Sequence, residues 1–204
     1  PKTNIFSITF IKLGLLKKLM ATFVVEHLDG KLWRWCLIEY KHISRIVGKK
    51  SLLFTKVKSK ELRRYGKVFK KSVLELSLKN ACVLDPDAKK TLTPKDARKF
   101  KYFIFGGILG SYPAKKRTNK ELTRKLKFTA RNIGKKQFST DNAVYVVREI
   151  LKGKKLKDLK FKDKIEIQLG KHDSVILPYR YLIVKGRPLI SEELVKYLKR
   201  RKEF

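Results

Sequence analysis

Two glycine-rich segments carry the residues of this chain that are best suited to chemistry. The first, Gly106-Gly107-Ile108-Leu109-Gly110, follows an apolar run at residues 102–105, and the second runs from Ile133-Gly134 to Ser139-Thr140-Asp141. Because glycine has no side chain, a ligand can approach the backbone closely at such positions. Backbone N–H and C=O groups could then bind the edge of an adenine, while Ile108, Leu109, Ile133 and Phe138 pack against its ring. The segments therefore indicate a nucleoside pocket, although a tight strand exit would also explain Gly106-Gly107.

Other nucleotide and catalytic motifs are absent from the sequence. The glycine spacing is G-G-x-x-G rather than the dinucleotide fingerprint G-x-G-x-x-G, and no G-x-x-x-x-G-K-[ST] occurs. There is also no G-x-S-x-G nucleophile elbow. These absences argue against a dinucleotide site, a nucleoside triphosphate site and an α/β-hydrolase triad.

The elements that must position these segments alternate along the chain. The hydrophobic pattern predicts strands at residues 22–26, 51–57, 81–84, 101–105 and 128–132, and helices at 32–47, 59–78 (in two pieces), 94–100, 118–125 and 139–152. A strand pair at 165–169 and 175–184 and a helix after Ser191 follow. This alternation predicts an α/β fold with a mostly parallel sheet and helices on both faces. Ligands of such sheets bind at the carboxyl ends of the strands, where Asp85 and both glycine segments are expected.

Length and charge limit the possible partners. The chain has 204 residues and a formal net charge of +34, from 52 Lys and Arg against 18 Asp and Glu. This charge favours a polyanionic partner such as RNA or the ribosome. We place a single domain at residues 20–204 and interpret residues 1–19 as an N-terminal extension, with Met20 as a candidate native start. The apolar residues of the extension are too few, and are interrupted by Lys12, for a membrane span, so we expect no membrane partner. The alternative is that the extension is an amphipathic anchor at a membrane surface.

The two cysteines and three histidines show no metal-site pattern. Cys36 and Cys82 lie in apolar segments, and the histidines lack metal-ligand spacing. We therefore expect buried thiols, no metal, and a reducing, cytoplasmic setting.

Together, the two glycine-rich segments resemble the paired cofactor loops of the SPOUT methyltransferases. Further similarity extends from residue 22 to about residue 200 and is carried by Val25-Glu26-His27, Val83-Leu84-Asp85-Pro86, Arg117-Thr118 and Leu177-Pro178-Tyr179-Arg180-Tyr181. These motifs resemble one branch of the class. That branch includes archaeal proteins predicted to be RNA methyltransferases and a yeast enzyme that methylates an arginine of a small-subunit ribosomal protein.

The resemblance implies a SPOUT-type fold with a trefoil knot in the C-terminal half and S-adenosylmethionine (SAM) as the cofactor. Carried over residue by residue, it implies a cofactor site formed by Leu84, Asp85, Gly106, Gly107, Ile108, Leu109, Gly110, Ile133, Gly134, Phe138, Ser139, Thr140, Asp141 and Ala143.

The resemblance leaves the catalytic base open. Ser111 stands where the branch usually carries an acidic residue. The remaining acids near the expected site are Glu26, Asp85 and Asp141, and each is a candidate base. Asp141 could instead complement a helix dipole, and Asp85 could simply form a turn.

Basic residues near the glycine segments bear on the substrate. Lys115, Lys116 and Arg117, Lys135 and Lys136, and residues 152–160 could follow a phosphate backbone, which favours rRNA or tRNA as the methyl acceptor. Arg117 and Arg180 could hold a phosphate or a carboxylate, although a surface salt bridge would explain them equally well. The first alternative is an arginine side chain of a ribosomal protein, but that acceptor needs nearby acids and residues 111–117 contain none. A second alternative is a basic RNA- or ribosome-binding module without catalysis. The oligomeric state is not predicted.

Overall fold

A six-stranded parallel sheet forms the centre of the protein, whose computed structural model describes residues 21–109 and 115–200. The strands are β1 (Thr22–His27), β2 (Leu52–Thr55), β3 (Lys67–Val68), β4 (Ala81–Leu84), β5 (Tyr102–Gly107) and β6 (Thr129–Arg131). Their order across the sheet is β3-β2-β1-β5-β4-β6, and all neighbours are parallel. Because β4 pairs in parallel with both β5 and β6, the carboxyl ends of these three strands lie side by side at one edge of the sheet.

The central strands are apolar along their whole length because both faces of the sheet are covered. In β5, Phe103 and Phe105 belong to one hydrophobic cluster and Ile104 to another. Neighbouring β4 alternates in the same way, with Cys82 in the first cluster and Val83 in the second. This period of two divides the core into two layers.

The α-helices next to the sheet pack into the cluster that holds Phe103 and Phe105. These helices are α1 (Arg34–Val47), α2 (Pro94–Ala97) and α3 (Thr140–Leu151). On the opposite face, Val73 and Leu122 are buried from a 3₁₀ turn (Val73–Glu75) and a π-helical turn (Asn119–Thr123). Helices were predicted on both faces of the sheet. Among the described residues, α-helices cover the first face, and short 3₁₀ and π-helical turns cover the second.

A smaller antiparallel sheet follows α3. It consists of β7 (Phe161–Gln168), β8 (Ser174–Val184) and β9 (Arg187–Pro188), and the chain then forms α4 (Glu192–Arg200). Leu177 and Tyr181 of β8 share a buried cluster with Leu194 and Leu198 of α4. The backbone N–H of Leu182 donates to the side-chain oxygen of Asn142 in α3, at 2.8 Å. The small sheet is therefore attached directly to the helix that follows the second glycine segment.

Two local predictions differ from the structure. Residues 59–78 contain no α-helix but two 3₁₀ turns, Glu61–Arg64 and Val73–Glu75, with β3 between them. A Cβ on Gly66 would lie 2.8 Å from the backbone oxygen of Leu52, so the chain here lies tightly against β2. In addition, β5 continues through Gly106 and Gly107, which pair with Glu26 and His27 of β1. These glycines were expected to form a loop.

The structure also shows the surroundings of the cysteines and of the other possible metal ligands. Cys36 and Cys82 are free and buried, as predicted, and burial raises the pKa of both thiols to about 12. No group of three or more His, Cys, Asp or Glu side chains is placed to hold a metal in the part of the chain that is described. In the same part, no helix is both long enough and apolar enough to cross a membrane. The predicted extension at 1–19, Gly110 and Ser111 lie outside the described residues.

Candidate active site

The carboxyl ends of β4, β5 and β6 border an open cleft, here called the first cleft. Its walls come from the strand ends, from the segment after β6 and from the start of α3. The space between them that no atom fills is about 600 Å³, part of it open to solvent. The lining residues are Leu84, Asp85, Pro86, Phe105, Gly106, Ile108, Thr118, Ile133, Gly134, Gln137, Phe138, Thr140 and Ala143.

The composition of the first cleft suits a nucleoside. Ile108, Ile133 and Phe138 provide apolar walls, and Thr118, Gln137 and Thr140 provide polar groups beside them. A few polar groups on a mainly apolar surface are typical of small-molecule sites. Gly134 has a φ of +107°, a conformation that favours glycine, so the chain can turn into the cleft at this point. The residues present therefore fit the nucleoside part of SAM.

The small antiparallel sheet holds one wall of the first cleft in place. The backbone N–H of Arg180 in β8 donates to the carbonyl oxygen of Gln137 at 2.8 Å. Its guanidinium donates to Asp163 at 2.7 Å, and the rings of Phe138 and Phe161 are 5.5 Å apart. Hydrogen bonds from Arg180 and then Lys136 lower the pKa of Asp163 to about 2. Arg180 thus stands at the rim of the cleft, with its charge already paired.

Asn132, which the sequence analysis did not single out, fixes the position of the second glycine segment. Its side chain donates to the carbonyl oxygen of Ala88 at 2.8 Å and accepts from the backbone N–H of Gly134 at 3.0 Å. It also accepts from the hydroxyl of Thr91 at 3.0 Å. One buried amide therefore joins the segment after β4 to the segment after β6. Its position directly before Ile133-Gly134 was the available signal.

A second cleft adjoins the first and is rich in charge. The space in it that no atom fills is about 680 Å³, part of it open to solvent, and it shares Asp85, Pro86, Ile108, Thr118 and Gln137 with the first cleft. Its other lining residues are Asp87, Lys115, Lys116, Arg117, Asn119 and Lys135. The basic residues at 115–117 that were predicted to bind substrate therefore lie beside the nucleoside-like cleft.

Of the three candidate bases, the structure brings only Asp85 to the clefts. Its carboxylate accepts from the side chain of Asn119 at 2.8 Å and from the backbone N–H of Asp87 at 2.9 Å. Glu26 is buried, and its carboxylate accepts from the hydroxyl of Ser72 at 2.5 Å and the backbone N–H of Val73 at 2.9 Å. Because these bonds tie Glu26 to the 3₁₀ turn on the opposite face, we assign it a structural role.

Asp141 lies behind the cleft wall in a buried polar cluster. Its carboxylate is 2.7 Å from Nδ1 of His42, and it accepts from the hydroxyl of Ser139 at 2.6 Å and the backbone N–H of Asn142 at 2.8 Å. Burial, together with the charge of Asp141, raises the pKa of Glu39 well above its usual range. Glu39 in turn contacts Thr140, which lines the first cleft. The cluster therefore positions the start of α3, and Asp141 and Ser139 support the cleft without lining it.

Two further residues expected in the cofactor site have supporting positions. A Cβ on Gly107 would lie 2.2 Å from Oη of Tyr40, so this glycine makes room for a core tyrosine. The backbone N–H of Leu109 donates to the carboxylate of Asp29 at 2.7 Å. Neither Gly107 nor Leu109 lines the first cleft.

Arg117 connects the segments on either side of the clefts. Its guanidinium donates to Asp29 at 2.5 Å, to the carbonyl oxygen of Leu28 at 2.6 Å and to Glu121 at 2.7 Å. Burial acts to lower its pKa, but the hydrogen bonds that Arg117 donates to Asp29 and Glu121 outweigh this effect, so the pKa is raised. Arg117 is therefore a structural link whose charge is already balanced, and Asp29 is its unpredicted partner.

Comparisons with known proteins agree on one family. The family described as "Protein arginine N-methyltransferase SFM1-like" matches residues 22–203. The protein arginine N-methyltransferase SFM1 of Saccharomyces cerevisiae is 32% identical over 202 residues, which cover 87% of this chain and 94% of the yeast protein.

Solved structures are similar in fold as well. Yeast SFM1 complexed with S-adenosylhomocysteine (SAH) superposes with a TM-score of 0.80 at 29% identity, and the match covers 89% of this chain and 96% of that chain. The same enzyme complexed with SAM gives a TM-score of 0.80 at 30% identity, and the match covers 88% of this chain and 90% of that chain. A Trm10 structure from Thermococcus kodakaraensis gives a TM-score of 0.52 at 18% identity, and the match covers 68% of this chain and 96% of that chain. At this identity the similarity is one of fold alone.

The preference for RNA as the methyl acceptor, drawn from the sequence, is wrong. The matching family and the yeast relative are protein arginine methyltransferases. In the structure Arg117 and Arg180 are both paired with carboxylates, which is the salt-bridge alternative that the sequence left open for them, so neither is a free cation for a phosphate backbone. The alternative that the acceptor is a protein arginine fits these findings better.

Proposed function

Because this chain belongs to the SFM1-like family of protein arginine N-methyltransferases, we propose that it methylates an arginine side chain of a protein, using SAM. It is a SAM-dependent methyltransferase with SPOUT-like structural neighbours. The observation that carries the proposal is the extent of the match: residues 22–203 include every described residue that lines the first cleft.

The first cleft is our proposed site for SAM. Leu84, Gly106, Ile108, Ile133, Gly134, Phe138, Thr140 and Ala143 would hold it, with Gly107, Leu109, Ser139 and Asp141 keeping those residues in position. We include Gly110 on the resemblance alone. Bound SAM supplies a methyl group activated by its sulfonium, so much of the rate comes from positioning the acceptor nitrogen.

Asp85 is our proposed proton acceptor. A guanidinium nitrogen that gains a methyl group must release a proton, and a carboxylate near that nitrogen can take it. Asp85 borders both clefts, and its two hydrogen-bond donors, Asn119 and the N–H of Asp87, keep its carboxylate in place. The absence of an acid at Ser111 is therefore compensated from the segment after β4.

We also propose that residues 20–204 form one domain and that its C-terminal half contains a trefoil knot. Support comes from the SPOUT-like neighbours and from the contact of the segment after β6 with the segment after β4, made by Asn132 with Ala88 and Leu92. A crystal structure traced through residues 81–151 tests the knot. The proposal fails if the segment after β6 can be pulled free without passing through the loop that precedes it.

We infer that the substrate is a ribosomal protein, since a chain of net charge +34 is attracted to a polyanionic assembly. The test is to incubate the purified protein with ribosomes and SAM carrying a deuterated methyl group. Protein and RNA are then separated, hydrolysed and analysed by mass spectrometry. We expect deuterated methylarginine in the protein fraction, and Phe138→Ala should reduce it. Label in nucleosides, or in lysine alone, would contradict the proposal.

A further inference from the structure

An arginine acceptor requires carboxylates near the methyl group. In this structure the segment after β4 can provide them. Among the described residues that line the two clefts, the acids are Asp85 and Asp87. Asp87 lines the second cleft and not the first. The second cleft is thus the place where a guanidinium could meet carboxylates while remaining beside the first cleft.

The charges of the second cleft differ in how firmly they are held. Arg117 is bound to Asp29, Glu121 and a backbone carbonyl, and the ammonium of Lys135 donates to the carbonyl oxygen of Ala88 at 2.8 Å. Asp85 is held by Asn119 and a backbone N–H. These groups form part of the wall and are not available for exchange.

The ion pair between Asp87 and Lys116 is different. The Lys116 ammonium is 3.6 Å from the Asp87 carboxylate, and the two side chains are 67% and 35% exposed. An isolated, exposed ion pair of this kind contributes only about 0–1 kcal/mol to stability. It can therefore be broken easily, which leaves an acid at the mouth of the second cleft.

We propose that Asp87 binds the guanidinium of the arginine to be methylated, and that Lys116 occupies this place in the free enzyme until the substrate displaces it. The inference rests on the proposed function and adds the acceptor site to it. A guanidinium offers two parallel N–H donors to a carboxylate, whereas an ammonium is a point charge, so arginine competes well for Asp87. The exchange of one cation for another leaves no new unpaired charge in the cleft.

This assignment reverses the role that the sequence suggested for Lys116. A lysine that binds substrate directly would weaken substrate binding when it is removed. A lysine that competes with the substrate for Asp87 would strengthen substrate binding when it is removed. The two roles therefore predict effects of opposite sign for the same substitution.

The test measures binding rather than turnover. The probe is the peptide acetyl-Gly-Arg-Gly-amide, titrated by calorimetry or NMR in the presence of saturating SAH, with the citrulline peptide as the uncharged comparison. Variants are Asp87→Asn and Lys116→Gln, with Lys120→Gln as a control, because Lys120 is exposed and is absent from the cleft walls. Thermal melting checks that each variant folds.

We expect Asp87→Asn to weaken binding of the arginine peptide about tenfold, the loss typical of one hydrogen bond to a charged group. Lys116→Gln should tighten binding about threefold, since it removes a competing pair worth a fraction of 1 kcal/mol. Lys120→Gln should bind like the wild type, and the citrulline peptide should bind weakly to every form.

Unchanged binding by Asp87→Asn, or weaker binding by Lys116→Gln, would overturn the inference. Failure of the proposed function looks different. If wild-type protein places no methyl group on protein arginine, the function itself is wrong. If it does so and Asp87→Asn binds and methylates like the wild type, only the acceptor site is wrong.

Discussion

Replacing Gly107 by alanine would place a Cβ 2.2 Å from Oη of Tyr40 and 2.7 Å from Cγ1 of Val25. Both contacts are buried, so side chains or strands must shift, and overpacking of this kind destabilises by about 1–3 kcal/mol. Moving Tyr40 also breaks its hydrogen bond to Nδ1 of His27, which is 2.9 Å long and contributes about 1 kcal/mol more. The total of about 2–4 kcal/mol should lower the Tm by about 5–15 °C for a chain of this size.

The adjacent glycine should respond differently. A Cβ on Gly106 would lie 2.7 Å from Oγ1 of Thr118, a short side chain that also lines the first cleft. Thr118 can move, but only by changing the shape of the cleft. We therefore expect Gly106→Ala to melt within about 1 kcal/mol of the wild type and to bind SAM about tenfold more weakly, a loss of about 1.4 kcal/mol.

Thermal melting and calorimetry with SAM separate the two variants. Adding Tyr40→Phe to Gly107→Ala removes the atom at 2.2 Å and should restore about 1–2 kcal/mol, since the two positions are in contact. The reasoning is refuted if Gly107→Ala melts like the wild type. It is equally refuted if Gly107→Ala loses SAM affinity without losing stability, because Gly107 would then belong to the ligand site rather than to the core.

Two further substitutions test the supports of the clefts. Glu39→Gln should gain stability relative to the wild type as the pH rises from 5 to 8. Burial raises the pKa of Glu39 in the folded protein from 4.5 to about 8, so over this range the carboxyl is ionised in the unfolded chain but protonated in the folded protein, and the wild type loses stability. A Tm difference that does not vary with pH would exclude this cause. Arg117→Gln should destabilise by about 2 kcal/mol because it leaves the partly buried carboxylate of Asp29 without its cationic partner. Arg124 is an exposed arginine whose guanidinium donates to Asn119, so Arg124→Gln should change the Tm little. Equal effects of the two variants would show that the Arg117 link is unimportant.

Local patterns were enough to predict the parallel sheet and the position of the first cleft. Apolar runs at 22–26, 81–84 and 101–105 were correctly assigned as strands, because strands covered on both faces need such runs. The helix predicted at 139–152 is present as α3 (Thr140–Leu151). The prediction of helix at residues 59–78 was wrong. The apolar residues there have helical spacing, but Gly66 packs closely against β2, and this contact between residues distant in sequence determines the conformation.

The roles of individual acids depended on contacts that no local pattern reveals. Asp141 follows a loop, as a site residue would. In the structure it interacts with His42 and Glu39 of α1, which lie about 100 positions earlier in the sequence. Asp29 and Arg117 are 88 positions apart, so their pairing was not visible in the sequence. Asp87 was visible in Asp85-Pro86-Asp87, but only Glu26, Asp85 and Asp141 were taken as acids near the expected site.

Binding of SAH to the first cleft is the most direct test of the whole account. Ala143 lies on the wall of this cleft in the first turn of α3, so Ala143→Leu narrows the site from a rigid element. Calorimetry should show saturable one-to-one binding of SAH by the wild type and at least about tenfold weaker binding by Ala143→Leu, a difference of about 1.4 kcal/mol. Equal affinities, or no binding by the wild type at millimolar SAH, would contradict the account.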